Sequence, residues 1–91
     1  MKTIKELNAI QARWMALDDN DSDYVKSEVF ALMNTMPKSY ITYNGEKANM
    51  IINSCPFHAT GLTLEEIKAI APSHNTRTDI AWNCNGEFIT I

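Results

Sequence analysis

All thiols and imidazoles of this 91-residue chain fall within residues 55–84: Cys55, His58, His74 and Cys84. Their types suit zinc, which takes four nitrogen or sulfur ligands in a tetrahedron, and Cys55 with His58 has acceptable chelating spacing. They also suit a thiol nucleophile: Cys55 paired with His58 or His74, with Asp79 orienting the imidazole. That chemistry needs the ring within hydrogen-bond reach of a thiol of lowered pKa. Neither pattern is complete in the sequence. Cys84 stands alone inside Cys84-Asn85-Gly86-Glu87, where a second zinc pair would need another ligand two residues on. There is no nucleophile elbow, phosphate-cradling glycine loop, HExxH or dinucleotide fingerprint. Of three glycines, two belong to turn signals, which leaves little backbone for a phosphate nest. The expectation is therefore a buried small cysteine, a loop histidine capping backbone, and a non-enzymatic protein with no catalytic residue, no metal and no cofactor.

The carboxylates gather in one block, residues 18–23, with Asp18, Asp19, Asp21 and Asp23. Read as a calcium loop from Asp19, it has acids at positions 1, 3 and 5. Tyr24 then stands where the sharp turn needs glycine, and Phe30 stands where the bidentate glutamate belongs, so an EF-hand is rejected. The block reads as a solvated interhelical loop whose Asp or Ser caps the next helix, or as an acidic patch offered to a basic partner.

The tetrapeptide Cys55-Pro56-Phe57-His58 resembles the first ligand pair of the zinc-binding domain of bacterial DNA primases. The similarity covers four residues and lacks that family's second Cys-x2-Cys pair, so no property carries over. In small size, absence of a catalytic motif and richness in Asn, Met and Thr, the chain resembles accessory proteins encoded by bacteriophages. That likeness implies a protein that works by occupying a host protein.

Composition sets the class. Hydrophobic residues at 45% and charged residues at 21% describe one globular domain, residues 1–91, with a modest core. No apolar run approaches the ~18 residues of a membrane span. The first fifteen residues carry a charge or amide every few positions, unlike a signal peptide. Two cysteines are few for a secreted scaffold of this size, so a cytoplasmic protein with free thiols is expected. A net charge of −3 argues against a nucleic-acid partner, whose phosphates want a basic stripe.

The elements that must position these groups are legible in the spacing. Thr3 and Glu6 form a capping box ahead of a stripe of Ile4, Leu7, Ile10, Trp14 and Leu17, a first helix with that stripe as core, the alternative being Trp14 as a partner-facing anchor. Residues 24–36 read as a second helix with Val25, Val29, Leu32, Met33 and Met36 on one side, widened by Phe30 and Ala31 and ended by Pro37. The short link makes the two an antiparallel pair. Residues 40–53 form a hairpin on Asn44-Gly45, the strongest short signal for a two-residue type I′ turn. Tyr43 then faces Glu46, Ile41 faces Ala48 and Ser39 faces Met50. Residues 54–61 read as loop. Thr63 and Glu66 make a second capping box, stapled by Leu62 and Ile67, for a helix that buries Leu64, Ile67, Ile70 and Ala71 and ends at Pro72. After a polar connector over residues 73–76, residues 78–91 form a second hairpin on Asn85-Gly86. Its buried face would be Ile80, Trp82, Ile89 and Ile91.

The sum is an α+β fold, ααββαββ, with a four-stranded antiparallel sheet built from two Asn-Gly hairpins and helices packed on one face. The open sheet face would show Tyr40, Thr42, Lys47, Asn49, Ile51, Ala81, Asn83, Phe88 and Thr90. That mix of aromatic, amide and β-branched groups resembles protein-interface composition. The expected function is regulation or inhibition by binding a host or cognate partner protein. Contact would run through Tyr40, Thr42, Lys47, Asn49, Asn83, Phe88 and Thr90, through Asp18, Asp19, Asp21 and Asp23, or through both. A second copy could cover the same face in a homodimer. The alternatives are a zinc-stabilised domain and a nucleic-acid-binding winged-helix-like domain. The candidate recognition helix of the latter carries only Lys68, beside Glu65 and Glu66.

Overall fold

The computed structural model describes residues 2–53, 55–56, 61–83 and 85–91. The chain divides into two compact units, residues 1–36 and residues 37–91.

The first unit is a pair of helices. Helix α1, Ile4–Met15, starts at the expected capping box: Glu6 N–H donates to Thr3 Oγ1 at 3.2 Å, and Thr3 N–H returns to Glu6 Oε1 at 3.4 Å. Two orphan amides of the first turn are thereby satisfied. Helix α2, Asp23–Met33, is capped by Ser22, whose Oγ accepts from Val25 N–H at 3.2 Å. It ends three residues before the expected Met36. Thr35 N–H and Met36 N–H bond to the carbonyls three residues back, so the last turn tightens out of α geometry before Pro37. Leu7, Ile10 and Val29 are buried as the stripes require. Trp14 corrects the reading of its stripe as core throughout. It remains 37% exposed, packed edge-to-face on Phe30 with ring centroids 5.2 Å apart. Beside that ring pair, Arg13 Nη2 and Glu28 Oε1 join the two helices at 2.9 Å.

The second unit is an open sheet with one helix. Strand β1, Tyr40–Tyr43, pairs antiparallel with β2, Ala48–Ile52. A two-residue strand β3, Cys55–Pro56, adds antiparallel to the free edge of β2, inside the segment expected to be loop. Helix α3, Leu64–Ile70, begins at the second capping box, where Thr63 and Glu66 exchange bonds of 3.1 and 3.2 Å. Pro72 does not end this helical segment. It sits in the first turn of a 3-10 helix, Ala71–His74, in place of the expected connector. A proline there loses no helical hydrogen bond. Strands β4, Ile80–Trp82, and β5, Phe88–Thr90, follow and pair antiparallel.

The strand order is β3-β2-β1-β4-β5, and β1 runs parallel to β4. The sheet is therefore mixed, which corrects the antiparallel sheet expected from the sequence. The reason is an occupied edge. With β3 on β2, the open flank is that of β1, and a chain returning through α3 arrives there in the same direction. A parallel pair needs such a long crossover, and residues 44–79 provide it.

Both loops depart from two-residue turns. In the first, Ile41 opposes Met50 and Tyr43 opposes Ala48, so the loop is residues 44–47. Asn44 Oδ1 accepts Glu46 N–H at 2.9 Å and Lys47 N–H at 2.8 Å, an Asx turn that outcompetes the tighter reversal. Pairing shifts by two residues, and because side chains alternate with period two, the faces stay as read. In the second, Trp82 opposes Phe88 and Ala81 opposes Ile89, so the loop is residues 83–87. This shift is one residue and turns β4 over relative to the expectation.

The core under α3 thus gathers Ile41, Ala48, Met50, Ile67, Ala71 and Ala81. Ala81 is in it and Trp82 is not, the reverse of the expected assignment. Three alanines at this layer leave room for Ile67 to sit fully buried against the sheet. Tyr43, Ile52, Leu64, Ile70, Ile89 and Ile91 pack around the margin.

Candidate functional site

The sheet face away from α3 is organised by aromatic rings. Phe88 stands between Tyr40 and Trp82, edge-to-face with each, at centroid distances of 5.8 and 5.0 Å. Such pairs stabilise by about 0.5–1.5 kcal/mol beyond the area they bury. Phe88 is 4% exposed, so it is a packing residue rather than the accessible anchor proposed from the sequence. Ala81, also assigned to that face, lies in the opposite core. Ile80 is buried as expected, at 2% exposure, on the same side of β4 as Trp82. Tyr40, Thr42, Asn49 and Ile51 are half-buried, and Thr90 is exposed.

Thr42, Lys47, Asn49 and Asn83 of the proposed partner-binding set come together. With Tyr43, Asn44, Trp82 and Gly86 they line a groove of about 320 Å³ where the two loops approach. Asn83 is a turn cap there: its Oδ1 accepts Asn85 N–H at 3.0 Å and Glu87 N–H at 2.9 Å. Trp82 is the groove residue that sequence reasoning missed. The signal available was a second asparagine, Asn83, upstream of Asn85-Gly86 and able to start the turn earlier.

The acidic loop is wired to itself. Asp21 Oδ2 accepts Asp18 N–H at 2.7 Å, and Asp18 Oδ1 accepts Asn20 N–H at 2.9 Å. Lys26 Nζ reaches the carbonyl of Asp19 at 3.0 Å. These bonds fix the loop while its carboxylates remain at the surface, and Asp23 sits in the first turn of α2. Next to this loop the helical unit displays Trp14, Met15, Tyr24, Val25 and Phe30, the large apolar side chains exposed among the described residues.

A second groove, of about 490 Å³, lies at the other end of the sheet. Pro37, Lys38, Ser39, Ile52, Asn53, Ser73, His74, Asn75 and Arg77 line it. Asp79, proposed above to orient an imidazole, instead grips Arg77, taking Nε–H at 2.9 Å and Nη2–H at 2.7 Å. That bond holds the Asp79 carboxyl below its ordinary pKa and raises the guanidinium of Arg77. The zinc and thiol readings rest on Cys55, His58 and Cys84. These lie outside the described residues, save for the strand backbone at Cys55.

Among the described residues no three His, Cys, Asp or Glu side chains converge as metal ligands, and no helix is long and apolar enough to cross a membrane. No protein-family model, curated protein or solved structure matches this chain.

Proposed function

We propose that this protein is a non-enzymatic binding module that regulates or inhibits a partner protein, and that its helical unit makes the principal contact. The observation carrying this reading is the exposure of Trp14, Met15, Tyr24, Val25 and Phe30 on one helix pair, with the Trp14 and Phe30 rings in edge-to-face contact. Exposed Trp, Tyr, Phe and Met side chains are enriched at protein interfaces and provide most of the anchoring in them. The acidic loop adjoins them in sequence, with Asp18, Asp19, Asp21 and Asp23 solvated at its rim. The complementary partner is an apolar segment flanked by lysine or arginine, drawn in by charge and held by burial. The sheet face becomes a secondary surface, since Phe88 is committed to packing. The nucleic-acid reading gains nothing from α3, where Lys68 follows Glu65 and Glu66.

The test is partner capture by affinity purification, with crosslinks mapped back to the chain. Replacing Met15 and Tyr24, 73% and 78% exposed, by Ser should abolish capture while helical content and unfolding midpoint change little. Capture that survives this double substitution, or crosslinks confined to residues 37–91, would remove the helical unit from the role. Self-crosslinking of purified protein through the same residues would identify a second copy as the occupant.

A further inference from the structure

The groove of about 490 Å³ in the sheet unit has the lining of an anion site. Lys38 and Arg77 supply positive groups and Ser39 supplies a hydroxyl, while Ser73 donates its own to the Ile70 carbonyl at 2.7 Å, and no carboxylate is among the described lining residues. Asp79 stands outside the lining and offsets the charge of Arg77, which leaves Lys38 to set the positive sign of the described lining. The donors are also held in place. Asp79 grips the guanidinium of Arg77 along one edge and fixes its plane. Ser39 Oγ accepts Asn53 N–H at 3.1 Å, which turns its own proton to the donor role.

The same rim carries two asparagines. Two residues other than glycine adopt positive φ among those described, Asn53 at 49° and Asn75 at 55°, and both line this groove. They come from different elements, one ending β2 and one ending the 3-10 helix. Asparagine tolerates this conformation at element ends, and Asn75 is the C-cap of the 3-10 helix, its N–H bonding to the Ala71 and Pro72 carbonyls. Here it brings two side-chain amides to one rim.

We propose that this groove binds a small phosphate monoester, its phosphoryl oxygens held by Lys38, Arg77 and the Ser39 hydroxyl. Planar guanidinium and ammonium donors suit phosphate oxygens, and the volume lies in the ~300–1,000 Å³ range of small-molecule sites. The wall of Pro37 and Ile52 accommodates the apolar part of the ester. The proposal is independent of the partner-binding surface on the helical unit.

Titration of ¹⁵N-labelled full-length protein with inorganic phosphate and, separately, with phenyl phosphate tests it. Sodium chloride at matched ionic strength is the control. Saturable shifts confined to residues 38–39, 53 and 73–77 are expected for both probes, with the ester tighter. Lys38→Gln, at an exposed position, should weaken ester binding about tenfold by removing one charge-assisted bond. Asn75→Gly keeps the backbone conformation, deletes the amide, and should weaken binding with the fold intact. The proposal is overturned by shifts that do not saturate, by shifts that chloride reproduces, by phosphate binding with the ester excluded, or by unchanged affinity in Lys38→Gln.

Discussion

Residues 44–47 and 83–87 both contain Asn-Gly-Glu, and both reverse the chain between antiparallel strands, but only the first keeps its side chains on the faces that alternation assigns. In each loop the controlling residue is the asparagine in first position, whose Oδ1 accepts two backbone N–H groups. In the first loop that asparagine is the one next to glycine. In the second it is Asn83, three residues before Gly86, so the loop is longer by an odd number of residues and β4 turns over. The lesson is that an Asn-Gly pair marks a reversal without fixing its length. A competing side-chain cap one or two positions upstream can take the turn, and the parity of the resulting loop decides which residues are core.

The strongest way to break this comparison is at Ala81. If it faces α3 in the closed core, Ala81→Leu overpacks the layer and should destabilise by about 1–3 kcal/mol in chemical denaturation. The pairing expected for a two-residue turn would put Ala81 on the open face and leave the midpoint nearly unchanged. A smaller effect separates the two asparagines of the second loop. Asn83→Ala removes a cap accepting two amides and should cost about 1 kcal/mol, like other lost turn caps, whereas Asn85→Ala should cost a few tenths. Equal effects would return control of the turn to Asn85-Gly86. The smallest effect probes the other end of the same strand pair, where Arg77 and Asp79 meet and Ile91 N–H donates to the Asp79 carbonyl at 3.2 Å. The bond from Arg77 lowers the Asp79 pKa in the folded state. Its contribution is therefore present above the unfolded carboxyl pKa near ~4 and is lost as pH falls through the lower folded value. Asp79 is 60% exposed, so the contribution is screened and should stay under about 1 kcal/mol. Asp79→Asn should flatten that part of an acid-unfolding curve.

The features readable in the sequence were those written locally. Both capping boxes are present because Thr and Glu at that spacing satisfy each other's amides without help from the rest of the chain. The first strand pair kept its faces for the same reason. The failures involve information that periodicity does not contain. Alternation does not say which sheet edge is free, and β3 settled that by covering β2, which sent β4 to lie parallel to β1. The spacing of Trp14 matches a buried stripe, but the stripe reaches the end of α1, where Trp14 packs on Phe30 and stays 37% exposed. The proposed partner set was half legible. Thr42, Lys47, Asn49 and Asn83 do meet, while Phe88 was lost to packing and Trp82 was missed through the odd loop. The larger groove was invisible, since residues 37–39, 52–53 and 73–77 are brought together only by the sheet and the 3-10 helix.

The flanks of the sheet carry one more consequence. β3 spans two residues and β5 three, and they stand at the two outer edges of the order, with β2, β1 and β4 between them. Unpaired backbone on a long apolar strand is a template for runaway self-association, and truncated flanking strands offer too few free amides to seed it. Short outer strands therefore disfavour side-by-side fusion of these sheets at both edges.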